Sequence, residues 1–80
     1  MKTKTKPETL ENYLSLRYPM TLYPEPDGGY TVTVADLPGC ISQGDTLAEA
    51  VANIQDATIA WIETAWECGD KIPLPSQQSL

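Results

Sequence analysis

Apolar side chains recur at helical spacing through residues 47–68, in the second half of the chain. The run Thr46-Leu47-Ala48-Glu49 has the pattern of a capping box, in which the side chains of Thr46 and Glu49 bind each other's backbone amides. Gly69 follows the last periodic position, where a glycine commonly ends a helix. We therefore predict one long helix over residues 47–68. Its apolar positions are Leu47, Ala50, Val51, Ile54, Ala57, Thr58, Trp61, Ile62 and Ala65.

Three shorter segments before this helix are predicted as β-strands, and the first two place alternate side chains on opposite faces, with the period of β-strands. They span residues 17–23, 30–35 and 40–43. In the first segment the alternation puts one set of side chains on one face of a sheet, namely Tyr18, Met20 and Leu22. In the second it points another set inward, namely Tyr30, Val32 and Val34.

The connections between these segments are short and carry turn signals. Asp27-Gly28 is typical of a tight hairpin, and Pro38-Gly39 fits a type II turn. Strands joined in this way form antiparallel neighbours, and their apolar face needs a cover. We predict an α+β fold, a three-stranded antiparallel meander covered by one long helix in the order β-β-β-α.

The two ends of the chain differ from this central region. Leu10, Tyr13 and Leu14 form an apolar stripe on a short N-terminal helix, which needs to dock because two turns alone are marginal. Pro73 and Pro75 forbid a helix after Gly69, so we expect an extended segment that could add only an edge strand. We divide the chain into an arm and short helix (1–16), one domain (17–75) and a disordered tail (76–80).

Large side chains crowd the C-terminal half of the predicted long helix, which should overhang the sheet. They cover more than one face of the helix, because Ile59 and Trp66 point away from the stripe of Trp61, Ile62 and Ala65. Two interpretations stay open. Ile59 or Trp66 forms a contact surface for another molecule, or the N-terminal helix of the same chain packs there.

Charge is unevenly distributed. The net charge of the chain is −6, with Lys2, Lys4 and Lys6 at its start. From residue 8 onward only Arg17 and Lys71 oppose all 11 acidic residues, which leaves −9. Such a body repels phosphate backbones, so we expect no direct nucleic-acid binding. It suits a basic protein partner, although the charge could also serve solubility alone.

The residue inventory excludes several kinds of chemistry. The chain has no His, no P-loop and no nucleophile elbow, which removes imidazole catalysis and His-ligated metals. Cys40 and Cys68 lack a C-x-x-C spacing, so we interpret both as small buried hydrophobic side chains. No apolar run approaches the length of a membrane span, and the polar N-terminus shows no signal peptide. We expect a cytoplasmic protein with no cofactor, no metal, no membrane partner and no enzymatic activity.

Several turn residues at fixed offsets resemble the HicB-like antitoxin family. The similarity covers roughly residues 17–75 and rests on Gly29-Tyr30, Asp36-Leu37-Pro38-Gly39-Cys40, Gly44-Asp45-Thr46, Glu49-Ala50 and Ile72-Pro73-Leu74-Pro75. The resemblance implies a partial RNase H-like fold and assembly into dimers or tetramers. It also implies binding to a small basic mRNA-cleaving toxin of the HicA type, with occlusion of the toxin's RNA site. Many relatives continue into a DNA-binding segment that these 80 residues lack, so we do not expect autonomous operon repression.

Two alternatives belong to other functional classes. The first is a stand-alone homo-oligomeric binding module without a toxin. The second, which we favour least, is a metal-dependent nuclease of the RNase H type. Such nucleases place an acid in the centre of the first strand, where this chain offers Thr21 and Tyr23. Turn and cap hydrogen bonding explains each nearby acid without a metal.

We expect the partner surface to be built from acidic loop and turn residues. Asp27 lies in the predicted hairpin loop, and Asp36 and Asp45 lie in the turns that flank the third strand. Tyr30 and Gln43 are their neighbours along the chain or across the predicted sheet. These five residues are the predicted partner-binding site, and no catalytic residue is predicted.

Overall fold

The computed structural model describes residues 9–76 and has the predicted α+β architecture. Its elements follow the order α1 (Leu10–Leu14), β1 (Thr21–Pro24), β2 (Tyr30–Thr33), β3 (Ile41–Gly44) and α2 (Leu47–Cys68). No helix in this part of the chain is both long and apolar enough to span a membrane. The predicted N-terminal arm (1–7) and all of the predicted tail except Ser76 lie outside the described residues.

The three strands form one antiparallel sheet in the order β1-β2-β3, as predicted. Leu22, Val32 and Ser42 are opposite one another in the register and therefore point to the same face. The strands are four residues long each, so β1 and β2 are shorter than predicted, whereas β3 has the predicted length and begins one residue later. β1 begins at Thr21, two residues after Pro19, whose missing N–H cannot contribute to the sheet.

Both connections place glycines at positive φ, but the first is a five-residue loop and not the tight hairpin that Asp27-Gly28 predicts, because Asp27 does not take a positive φ. In the first, the Gly28 amide donates to the Glu25 carbonyl at 3.0 Å, and Gly28 has a φ of +106°. In the second, the Cys40 amide donates to the Leu37 carbonyl at 2.9 Å across Pro38 and Gly39. Gly39 has a φ of +82°, as the third position of a type II turn requires.

The helix α2 begins and ends at the predicted residues. Thr46 accepts a hydrogen bond from the Glu49 amide at 3.1 Å, and the Glu49 carboxylate accepts one from the Thr46 amide at 3.3 Å. Gly69 ends the helix in the left-handed conformation, with a φ of +74°. The 22-residue helix crosses one face of the sheet, packing on β2 and β3 but not on β1.

The core lies between α2 and the two strands that it covers. Its largest fully buried side chains are Leu37, Ile54, Ile62, Val32 and Val34. The burial of Leu37 was not expected from the sequence, where it was assigned only to a corner. Met20 and Leu22, which share the face of Tyr18, remain 42% and 39% exposed because α2 does not extend over β1.

The overhanging half of α2 is covered partly by the chain's own N-terminal helix. The rings of Tyr13 in α1 and Trp66 in α2 lie 6.0 Å apart, so the second of the two interpretations is confirmed for Trp66. The Trp61 indole N–H also donates to the Pro38 carbonyl at 2.8 Å, which fixes the corner to the helix. Ile59 and Trp66 nevertheless stay 43% and 40% exposed.

The two cysteines occupy different environments. Cys40 is buried, as predicted, with its sulfur 3.7 Å from the Thr58 hydroxyl. The same interpretation of Cys68 is wrong, because Cys68 is exposed at the last position of α2. The helix overhangs the sheet there, so its final turn has no layer beneath it on that side.

Residues 71–76 form no strand and run instead past the end of the sheet. Ile72 is buried in the core, and the Tyr18 hydroxyl donates to the Pro73 carbonyl at 2.6 Å. Ser76 donates to Asp36 twice, from its amide at 2.9 Å and from its hydroxyl at 2.6 Å. These contacts hold the Pro-rich segment against the start of β1 and the corner after β2.

The closest approach between α2 and the sheet occurs at Gly44. A Cβ atom at this position would lie 2.5 Å from the Ala50 amide nitrogen and 2.8 Å from the Glu49 carbonyl carbon. Both atoms belong to the backbone of the first turns of α2, so neither can move away without moving the helix. Glycine at 44 is therefore a requirement of packing between β3 and α2.

Replacing Gly44 with Ala should lower the free energy of unfolding by about 2 kcal/mol, the cost of forcing a helix away from its support. Urea denaturation monitored by circular dichroism at fixed protein concentration would measure this loss of stability. The matched control is Ser42→Ala, which keeps a Cβ on the same face of the same strand. Equal stability of the two variants would contradict this account of Gly44.

Candidate functional site

One end of the sheet gathers most of the predicted partner-binding residues. Tyr30 pairs with Gly44 at the end of β3, so Gln43 and Asp45 lie next to Tyr30. These three predicted residues line a shallow, largely polar depression between the β1–β2 loop and the start of α2. Its lining residues are Glu25, Gly28, Gly29, Tyr30, Gln43, Gly44, Asp45 and Glu49.

The other two predicted residues lie in different places. Asp27 is exposed in the loop at the rim of this depression, directly before Gly28. Asp36 lies at the opposite end of the sheet, beyond β2, where it binds Ser76. Four of the five predicted residues therefore share one end, and Asp36 is separated from them by the length of the strands.

Two further carboxylates join this end of the sheet. Glu25 accepts a hydrogen bond from the Thr31 hydroxyl at 2.7 Å, and Glu49 accepts one from the Asp45 amide at 3.0 Å. We refer to Glu25, Asp27, Asp45 and Glu49 together as the acidic end. The sequence could have indicated Glu25, because it is an acidic residue two positions before Asp27 in the same loop. Glu49 was recognised only for its role in the capping box.

The electrostatic character of the acidic end is uniform. No Lys or Arg lines its depression, and its carboxylates are on exposed residues. The N-terminus of α2 offsets part of this charge through the helix dipole. Farther along the exposed side of α2, Asp56, Glu63 and Glu67 extend the negative surface. This arrangement can attract a cationic surface at long range and accept hydrogen bonds from it.

The carboxylate of Asp36 is not free, because it is bound to Ser76. Hydrogen bonds from the Ser76 hydroxyl and amide hold the pKa of the Asp36 carboxyl below its usual value, because they favour the charged form. Nearby, burial raises the pKa of the Tyr18 hydroxyl, with further contributions from Tyr13 and Asp36. Asp36 thus anchors the Pro-rich segment at the end of the sheet remote from the acidic end.

The carboxylates do not converge as a metal site requires. Asp36 and Asp45 lie at opposite ends of the sheet, and Glu49 is engaged in the capping box. Within residues 9–76 no three His, Cys, Asp or Glu side chains are grouped closely enough to hold a metal ion. What the acidic end offers is charge and hydrogen-bond acceptors on an exposed surface.

The fold and the site thus define a small α+β module with one strongly acidic, exposed end. The family model of the HicB-like antitoxins of bacterial toxin–antitoxin systems matches residues 18–79 of this chain. The match covers most of the sequence, including every strand and the whole of α2. The chain belongs to the HicB-like antitoxin family, which confirms the resemblance seen in its turn residues.

Individual relatives support this assignment. Antitoxin HicB of Escherichia coli K12 is 44% identical over 61 residues, which cover 76% of this chain and 44% of that protein. Antitoxin HicB 1 of Photorhabdus laumondii is 46% identical over 61 residues, covering 76% of this chain and 39% of that protein. A UPF0150 protein of Thermoplasma acidophilum is 37% identical over 65 residues, which cover 81% of this chain and 94% of that protein. The chain thus spans less than half the length of these two HicB relatives.

The contact between Asp36 and Ser76 should depend on pH. A carboxyl group whose pKa is lowered by folding contributes its stability above its unfolded pKa and loses it as the pH falls through the folded pKa. We expect the contact to persist at neutral pH and to be lost as the pH falls through the lowered pKa of the Asp36 carboxyl. The NMR chemical shift of the Ser76 amide should report this loss, with a midpoint below the usual value for Asp.

Two variants test the cause of this pH dependence. Ser76→Ala removes the hydroxyl donor and should move the midpoint upward, toward the usual value for Asp. Asp36→Asn removes the titrating group and should abolish the transition. A Ser76 amide that titrates identically in the wild type and in Asp36→Asn would show that another group is responsible.

Proposed function

We propose that this chain neutralises a small basic mRNA-cleaving toxin of the HicA type by covering the toxin's RNA-binding site. The family to which the chain belongs supports an antitoxin role, and that role implies a toxin partner. The observation that carries the proposal is the acidic end, where Glu25, Asp27, Asp45 and Glu49 face solvent without a lining Lys or Arg. A toxin that binds RNA must present positive charge, and these carboxylates match it.

The mechanism requires no chemistry from this chain. Carboxylates at the acidic end speed the encounter with a cationic surface and compete with RNA phosphates for the same Lys and Arg side chains. Tyr30 and Gln43, beside them, supply an aromatic ring and an amide for short-range contacts. Bound in this way, the antitoxin excludes RNA by occupying its site. The proposal places this activity in the cytoplasm, where mRNA is cleaved, and includes neither nucleic acid nor a membrane as a direct partner.

Self-association is part of the same proposal. A chain of 80 residues has a thin core, and a dimer or tetramer would bury further apolar surface. Met20, Leu22, Tyr23 and Ile59 are exposed apolar side chains that such an assembly could cover. The second candidate function, a stand-alone homo-oligomeric binding module, rests on these same residues and needs no toxin. A metal-dependent nuclease is disfavoured by the separation of Asp36 from Asp45.

The decisive assay mixes purified chain with a candidate toxin, a small basic protein encoded by a neighbouring reading frame where one exists, and follows cleavage of mRNA. We expect stoichiometric inhibition and a stable complex on sizing. Absence of both would contradict the antitoxin proposal and leave the stand-alone module as the better description.

Charge reversal should locate the toxin-binding surface. We expect Asp27→Lys combined with Asp45→Lys to lower the association rate constant at low salt on the order of tenfold, because it reverses the attraction at the acidic end. The matched control combines Glu63→Lys with Glu67→Lys. It makes the same change in net charge on α2, with Glu67 about 27 Å along the helix from Glu49. Stopped-flow fluorescence would measure the rate, and circular dichroism would verify folding.

The comparison between the two pairs decides the assignment. Slower association of the first pair alone places the toxin at the acidic end. Equal slowing of both pairs would contradict that placement and indicate that only the overall charge attracts the toxin. Neither outcome changes the test of the antitoxin role itself, which is the inhibition of mRNA cleavage by the wild-type chain.

A further inference from the structure

The side of the sheet that α2 covers is left bare over β1. The helix packs on β2 and β3 but makes no contact with β1. Leu22 lies opposite Val32, so both side chains point toward the α2 side. Val32 is 1% exposed there, whereas Leu22 is 39% exposed. A strand with apolar side chains on its core-facing side thus lacks a cover within the described part of the chain.

A groove of about 510 Å³ lies beside this bare strand, between α2 and the segment of residues 14–20 that precedes β1. Met20 stands on its β1 side and Ile59 on its α2 side, and these side chains are 42% and 43% exposed. Leu14, the last residue of α1, and Leu16, two residues further on, also line it. Apolar side chains exposed on facing walls of a groove indicate an interaction surface more strongly than scattered single ones.

The charge around the groove discriminates between possible occupants. None of the eight residues that line it is acidic, and Arg17 is its one charged residue. A basic toxin would be drawn to carboxylates, which this groove lacks. Two copies of this acidic chain repel each other where their carboxylates come close. At this groove no lining carboxylate would face a carboxylate of the second copy. The charge distribution therefore favours a second copy.

The opposite face of the sheet is a poorer candidate for the same role. Hydroxyls of Thr21, Thr31 and Thr33 occupy adjacent positions of its register, and the exposed side chains of Tyr23 and Ile41 lie apart from each other on the two edge strands. Glu25 also binds the Thr31 hydroxyl at 2.7 Å, which brings a carboxylate to that face. A hydroxyl-rich face beside a charge is suited to water.

The outer edge of β1 presents backbone N–H and C=O groups that a further strand could bind. The Glu25 amide donates to the Gly29 carbonyl at 3.0 Å, and this bond fixes the alternation of the β1–β2 ladder. In that alternation Tyr23 bonds to β2, while the N–H and C=O of Leu22 point away from the sheet. Pro24 directs a carbonyl to the same edge and has no N–H to leave unpaired. A second β1 strand running antiparallel would satisfy these groups.

We propose that two copies of this chain pair antiparallel through β1 and that each covers the other's adjacent groove between α2 and the segment that precedes β1. A two-fold axis normal to the sheet makes one six-stranded sheet with both α2 helices on the same side. Met20 and Leu22 of both copies then form a continuous apolar strip between the Ile59 side chains. This inference rests on the self-association proposed above, names its interface, and is independent of the toxin.

Sedimentation equilibrium of the full chain tests the interface. The wild type should show about twice the 8.8 kDa mass of one chain. Leu22→Glu and Ile59→Glu each put a carboxylate where two copies meet, and each should raise the dimer dissociation constant on the order of a hundredfold. The matched control is Ile41→Glu on the other edge strand, where Ile41 is 59% exposed. It should leave the dimer intact, and Ile59→Glu covers the case in which Leu22→Glu fails to fold.

Hydrogen exchange provides a second readout that a general loss of solubility would not imitate. The Leu22 amide should become protected from exchange as protein concentration rises, because the second β1 strand accepts its hydrogen bond. The Ile41 amide, which points outward from the other edge of the sheet, should not.

The outcomes separate the interface from the rest of the proposed function. A monomeric wild type overturns both self-association and this interface. A dimer that Leu22→Glu and Ile59→Glu weaken no more than Ile41→Glu does overturns the interface alone. A monomeric Leu22→Glu chain that still inhibits the toxin supports the interface and leaves the antitoxin proposal intact.

Discussion

The close approach of α2 to β3 at Gly44 determines where most other parts of the molecule lie. Because position 44 carries no Cβ, the backbone of Glu49 and Ala50 rests directly on the strand. From this fixed point α2 runs back over β3 and β2, and its second half extends beyond them to the corner at Pro38. That path buries Val32, Val34 and Leu37, and it leaves β1 outside the cover.

The same path separates two surfaces of different character. At its beginning α2 contributes Glu49 to the acidic end, together with carboxylates from the β1–β2 loop and from Asp45. Along its middle it forms one wall of an apolar groove that contains no acid. A small domain with one long helix can therefore offer a charged surface to one partner and an apolar surface to another. The two surfaces share none of their lining residues.

The partner-binding prediction illustrates how far sequence reasoning reaches in a small sheet. Asp27, Tyr30, Gln43 and Asp45 could be grouped because short connections bring hairpin and strand ends together. Asp36 looked equivalent, since it too follows a strand and precedes a turn. Its different environment depends on Ser76, 40 positions away in the sequence, which donates two hydrogen bonds to it. No local pattern indicates a contact between residues so far apart.

The sequence by itself determined the local elements of this protein: the capping box and Gly69 set the bounds of α2, the glycines at 28 and 39 set the turns, and alternation set the strands. Each of these depends on neighbours within a few residues, so a local pattern suffices. Only the tertiary structure decided that α2 leaves β1 uncovered. It also decided that Leu37 is buried in a corner and that Cys68 is exposed. Those outcomes follow from the angle and overhang of one helix on a narrow sheet, which no single segment specifies.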